Sequence, residues 1–112
     1  MKNILEYRKK YVNDRGDVMT YVLVNHKVED YDKWMTVFND TSDMLKTQGA
    51  KVSSVFRSAD DPNQVVVLTQ FENLESVKSF VESDELRTAM LKAGVKGNPE
   101  IIFLEETQRI TF

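Results

Sequence analysis

The chain is 112 residues long, with 41% hydrophobic and 29% charged residues and a formal net charge of −3, a mixture that sustains one modest globular core. Acids and bases are interleaved, which leaves no basic stripe for a nucleic-acid partner, and the absence of cysteine removes disulfides, thiolate nucleophiles and cysteine-bound metals. Apolar runs such as Val65 to Leu68 fall far short of the ~20 residues of a membrane span, so no membrane partner is expected.

Residues 1–18 read as an N-terminal arm. Ile4, Tyr7 and Tyr11 fall at helical spacing with Arg8, Lys9 and Lys10 between them, and both a short amphipathic helix and an unstructured leader fit that pattern. The arm has no apolar run of the kind a secretory signal carries, so a cytoplasmic location is the expectation. Residues 19–112 form the domain proper.

Met19 to Val28 reads as a strand with Val22, Val24, His26 and Val28 on one face and Tyr21, Leu23, Asn25 and Lys27 on the other. It is apolar on both faces as far as Asn25, which predicts cover on both sides. Asp30 is placed to cap a helix in which Tyr31, Trp34, Met35, Phe38, Ser42 and Leu45 make a single stripe, with Gly49 just past its end. Lys51 to Ser58 and Gln64 to Glu72 read as two strands of a hairpin, joined by the turn-forming residues Ala59 to Asn63. Asn73 then caps a second helical region carrying Leu74, Val77, Phe80 and Val81, and Ser83 restarts it before Leu86, Met90 and Ala93. Gly94, Gly97 and Pro99 end it, Glu100 to Glu106 is a fourth strand, and residues 108–112 are a tail.

The order strand, helix, strand, strand, helix, strand predicts an α+β fold of the ferredoxin-like βαββαβ split type, an antiparallel four-stranded sheet with its helices on one face. Apolar residues such as Val66, Leu68 and Ile101 to Leu104 would then leave the other face of the sheet exposed and apolar. A lone subunit rarely tolerates such a surface. The expected partner is therefore a second copy of the chain, packed sheet to sheet.

The strand end Asn25 to Val28 followed by Asp30 to Trp34, and the later stretch 67–76 with Phe80 and Ser83 to Leu86, resemble the dimeric α+β barrel superfamily, which includes the antibiotic biosynthesis monooxygenase-like proteins. The resemblance covers about residues 21–106. It implies two ferredoxin-like subunits sharing a barrel, with a pocket in each between sheet and helices. Activities in the superfamily include cofactor-free oxidation of polycyclic aromatic substrates, haem degradation, and isomerase- or decarboxylase-type chemistry. The haem-degrading branch uses an Asn near the end of the first strand, a Trp late in the third strand and a His in the second helical region. Asn25 matches the first, but Phe71 stands at the Trp position and Met90 at or near the His position, so haem ligation of that type is not expected, nor is any other cofactor.

His26, the sole histidine, is the candidate catalytic base, since an imidazole changes charge near neutral pH. The competing reading is a hydrogen-bonded structural histidine. Asn25 is a candidate donor to a developing oxyanion or to dioxygen, although alternation sends Asn25 and His26 to opposite faces unless a bulge intervenes. Trp34, Phe38, Phe71 and Met90 join Asn25 as candidate ligand-binding residues, with plain core as the alternative for the aromatic stripe. His26, Glu29, Asp30 and Asp32 lack a recognised metal-ligand spacing, and the two aspartates are accounted for as cap and first-turn acids. These residues leave two functions open. One is a cofactor-independent monooxygenase-like enzyme acting on a small aromatic or polyketide-like molecule. The other is a non-catalytic small-molecule-binding or stress-related dimer module.

Overall fold

A computed structural model of the chain describes residues 19–112; the reading of residues 1–18 lies outside them. Strand β1 (Thr20–Val28) leads through helices α1 (Tyr31–Asp40) and α2 (Ser42–Thr47) to strands β2 (Ala50–Arg57) and β3 (Gln64–Phe71). Helices α3 (Leu74–Val81) and α4 (Asp84–Lys92) follow, and β4 (Val95–Glu105) closes the fold. The strands form one four-stranded antiparallel sheet in the order β2-β3-β1-β4, which is the ferredoxin-like α+β arrangement that the element order predicts.

Local chemistry sets each junction. Asp30 accepts a hydrogen bond from Asp32 N at 3.0 Å, and Asn63 Oδ1, from the β2–β3 loop, accepts from Tyr31 N at 3.1 Å. The first turn of α1 is thus held from two sides, and its otherwise unpaired amides are satisfied. Asn73 caps α3 by accepting from Ser76 N, and Ser83 caps α4 by accepting from Leu86 N.

The long first helix expected from Tyr31 to Leu45 is two helices. Asn39, Asp40, Thr41 and Ser42 are all poor helix formers whose side chains compete for nearby backbone groups, and Thr41 Oγ1 donates to Phe38 O at 2.7 Å where the chain changes direction. The fourth strand begins earlier than the glycines and Pro99 predict, at Val95 rather than Glu100, because a bulge absorbs those residues. Asn25 pairs with Glu100 and Lys27 with Lys96, so His26 alone stands opposite Gly97, Asn98 and Pro99. Gly97 takes a φ of +67° there, a conformation that favours glycine.

Alternation along the central strands puts Val22, Val24, His26 and Val28 of β1 beside Val65, Val67, Thr69 and Phe71 of β3, all buried under the helices. One cluster joins Val22, Val24, Leu45, Phe71, Val77 and Phe80; a second joins Val28, Trp34, Val65, Val67 and Ala93. The opposite face carries Val52 and Phe56 of β2 and Ile102 and Leu104 of β4, all exposed, with Val52 at 58% and Phe56 at 55%. Tyr21, Leu23, Val66 and Leu68 fill the middle of that face and are half-buried by their strand neighbours.

Candidate functional site

Phe38 packs against both core clusters. Between them lies an apolar cavity of about 70 Å3, with Val22, Val24, His26, Val67 and Thr69 of the sheet as its floor. Trp34 and Phe38 of α1 wall one side, and Leu86, Ala89 and Met90 of α4 another. Trp34 is 4% exposed and organises this wall: its ring stacks on Phe38 with centroids 5.0 Å apart and on Tyr31 at 6.2 Å, and the His26 ring sits 5.4 Å away at a tilt of 47°. The outer face of Tyr31 is covered by the Arg57 guanidinium, 4.4 Å from the ring centroid. Arg57 therefore makes a cation–π contact beside this aromatic stack.

The polar atoms of the cavity divide sharply. Thr41 Oγ1 is held by the Phe38 carbonyl, and Thr69 Oγ1 lies 2.8 Å from Ser53 Oγ. His26 is 5% exposed, and its Nδ1 is buried without a hydrogen-bond partner among the described residues. An unmade hydrogen bond on a buried group is costly, so this nitrogen is the one polar feature of the cavity that folding does not explain. Burial pushes the His26 pKa below its ordinary value of 6.5, with the Val24 main chain pulling weakly the other way. The imidazole is accordingly neutral at pH 7, with one nitrogen free to accept. The β4 bulge lies directly opposite His26, and bulges commonly re-aim a side chain next to a site.

His26, Trp34, Phe38 and Met90 come together around the cavity. Asn25 and Phe71 do not join them. Asn25 projects from the other face of β1, where its Oδ1 accepts from Gln64 Nε2 at 2.5 Å and its Nδ2 lies 3.5 Å from Glu100 Oε1; the β4 bulge leaves the alternation of β1 intact, so Asn25 is not turned inward. Phe71 is fully buried on the helix side, but it pairs with Thr20 at the far end of β1 and packs against Phe80 at 5.2 Å. Residues 65 to 71 span roughly 20 Å of strand, which takes Phe71 into the far half of the core. Thr69, Thr41 and Ala89 line the cavity although they were not among the candidate residues, and Leu86 joins them from the helical stripe; for Thr69, alternation onto the His26 face was the available clue. No group of His, Asp and Glu side chains able to hold a metal ion occurs among the described residues, and none of their helices is long and apolar enough to cross a membrane.

Fold and cavity together define a class: a split βαββαβ domain, hollow between sheet and helices, with a single buried imidazole in the hollow. The chain belongs to the antibiotic biosynthesis monooxygenase family, whose profile matches residues 21–92. Among curated proteins there is no match. Among solved structures, the chain is similar to SnoaB, a cofactor-independent oxygenase from Streptomyces nogalater, with a TM-score of 0.67 and 15% identity over 82% of this chain and 95% of that one. A Caulobacter crescentus CB15 protein named after the same monooxygenases gives a TM-score of 0.67 and 20% identity, covering 92% of this chain and 99% of its own. A conserved protein from Methanosarcina mazei Go1 gives 0.64 and 17%, covering 80% and 93%. At these identities the likeness is one of fold.

Proposed function

We propose that this chain is a cofactor-independent, monooxygenase-like protein acting on a small aromatic or polyketide-like molecule in the cavity, with His26 as the base. The observation that carries the reading is the buried, unpartnered Nδ1 of His26 in an otherwise apolar hollow. A neutral imidazole takes a proton from a carbon acid flanked by a carbonyl. The resulting carbanion gives one electron to dioxygen, and the radical pair recombines to a peroxide. The peroxide loses water as the C–H bond breaks, leaving a new carbonyl and returning the imidazolium proton. Overall, CH2 and O2 become C=O and H2O.

Size sets a condition on this chemistry. An apolar cavity of about 150 Å3 accommodates benzene, so a hollow of about 70 Å3 must widen before an aromatic ring enters. Helix α4 is the wall that gives way, because none of its residues is fully buried, whereas α1 is anchored by Trp34. The same reading makes the protein a homodimer packed through the open sheet face, supported by the exposed Val52, Phe56, Ile102 and Leu104. Light scattering that finds a stable monomer at micromolar concentration removes this part.

The alternative, a non-catalytic binding module, draws on one specific fact: among the described residues no second side chain hydrogen-bonds His26 to orient it, whereas an activated base ordinarily has such a partner. Oxygen uptake with anthrone- or quinol-type substrates separates the two. The enzyme reading expects uptake that falls at least about a hundredfold in His26→Ala; equal uptake by both proteins ends the role of His26.

A further inference from the structure

The cavity is not closed on all sides. Val37, Thr41, Met44 and Ala89 line it and also line a solvent-open groove between α1 and α4. The two spaces therefore adjoin along these four residues, one with an apolar lining and the other with a polar one. In the groove the carboxylates of Asp40, Asp84 and Glu85 outnumber the ammonium of Lys92, with Thr88 between them. Asp84 is already engaged by Arg87 at 3.5 Å, while Asp40 and Glu85 have no ion-pair partner among the described residues. Ionised carboxylates accept hydrogen bonds and donate none. A ligand reaching from the cavity into the groove must bring donors with it.

We propose that this two-part site takes amphiphilic molecules with a donor-bearing tail: an apolar ring beside Trp34 and His26, and a hydroxyl or ammonium end between Asp40 and Glu85. Molecules of the same shape ending in a carboxylate are rejected. This inference rests on the cavity being a ligand site, as proposed above, and adds the chemistry of the ligand's outer end. Two features support it: the unpartnered, almost fully buried His26, which marks the inner end as a ligand site, and the acceptor-rich outer end, which selects the tail. Neither apolar fit nor the His26 nitrogen accounts for selection at the groove, since the tail lies beyond both.

The test uses the full chain and three ligands differing only at the tail: 4-phenylbutanol, 4-phenylbutylammonium and 4-phenylbutanoate. Trp34 is the sole tryptophan, so its fluorescence reports occupancy of the cavity directly. The alcohol and the ammonium are expected to bind about tenfold tighter than the carboxylate at low salt, the effect of one charge-assisted hydrogen bond gained against one repulsion. In Asp40→Asn/Glu85→Gln that preference falls to about threefold or less, with the Trp34 response to the alcohol retained. Equal binding of all three ligands overturns the tail selectivity and leaves the cavity reading intact. A preference unchanged in the double variant overturns it as well, because the selection then arises elsewhere. A fluorescence response to none of the three overturns both the cavity reading and this inference.

Discussion

Asn25 and His26 are neighbours on one strand, both polar, both at the end of an apolar run, and they have opposite circumstances. Asn25 faces the open side of the sheet, where its amide oxygen is taken by Gln64 and its nitrogen reaches toward Glu100. His26 faces the helices, nearly fully buried, with a nitrogen that has no hydrogen-bond partner among the described residues. Burial and satisfaction, not residue type, separate the residue that serves the sheet from the one left unpaired in the cavity.

Substitutions on the two sides sharpen that contrast. The largest expected effect is from Trp34→Ala, which deletes the wall shared by His26, Phe38 and Tyr31. Urea unfolding is expected to show a loss of about 3–5 kcal/mol, since a large cavity is left behind. A loss under about 1 kcal/mol would mean that the hollow already accommodates the missing ring. His26→Leu should go the other way. Exchanging an unpaired buried nitrogen for an apolar group of similar size gains about 1 kcal/mol while oxygen uptake is abolished; a stability loss instead would show that the imidazole is satisfied after all.

The pH dependence follows from the same group. His26 binds a proton below its unfolded value of 6.5, whereas burial keeps the folded form neutral to lower pH. The unfolded state therefore binds more protons in that window, and stability rises with pH across it, levels off above about 6.5 and is lost on acidification. Unfolding curves from pH 5 to pH 8 should show this slope in the parent chain and its flattening in His26→Leu. The smallest effect belongs to the open side: Asn25→Ala costs about 0.5–1.5 kcal/mol through its hydrogen bond to Gln64, with ligand binding in the cavity unchanged. Weakened binding in this variant would break the division between the two faces.

Much of the fold was legible because period-2 alternation in β1 and β3 and the capping residues Asp30, Asn73 and Ser83 each have one strong local reading. The break at Thr41 and the early start of β4 were harder. The first depends on a run of weak preferences, none decisive alone. The second depends on a bulge, which lets Gly97 and Pro99 sit inside a strand where their propensities argue against one. Within the site, Trp34, Phe38 and Met90 share a cavity with His26 because helical stripes and strand faces converge on one interior. Phe71 has the right face but the wrong end, and the sequence does not say how far along the sheet a helix wall extends. Thr69 shows the reverse: correct in face and position, and inconspicuous only because threonine is an ordinary strand residue.

The bulge opposite His26 has an effect at the rim of the sheet as well. Strand β4 is 11 residues long and forms one edge of the sheet, and a long regular edge is a template on which further chains can line up into fibrils. The interruption at Gly97 to Pro99 disrupts that template. Pro99 has no amide hydrogen to offer a newcomer, and Lys96 adds a charge beside the gap. The irregularity that sits beside the imidazole thus also makes this edge a poor template for edge-to-edge pairing.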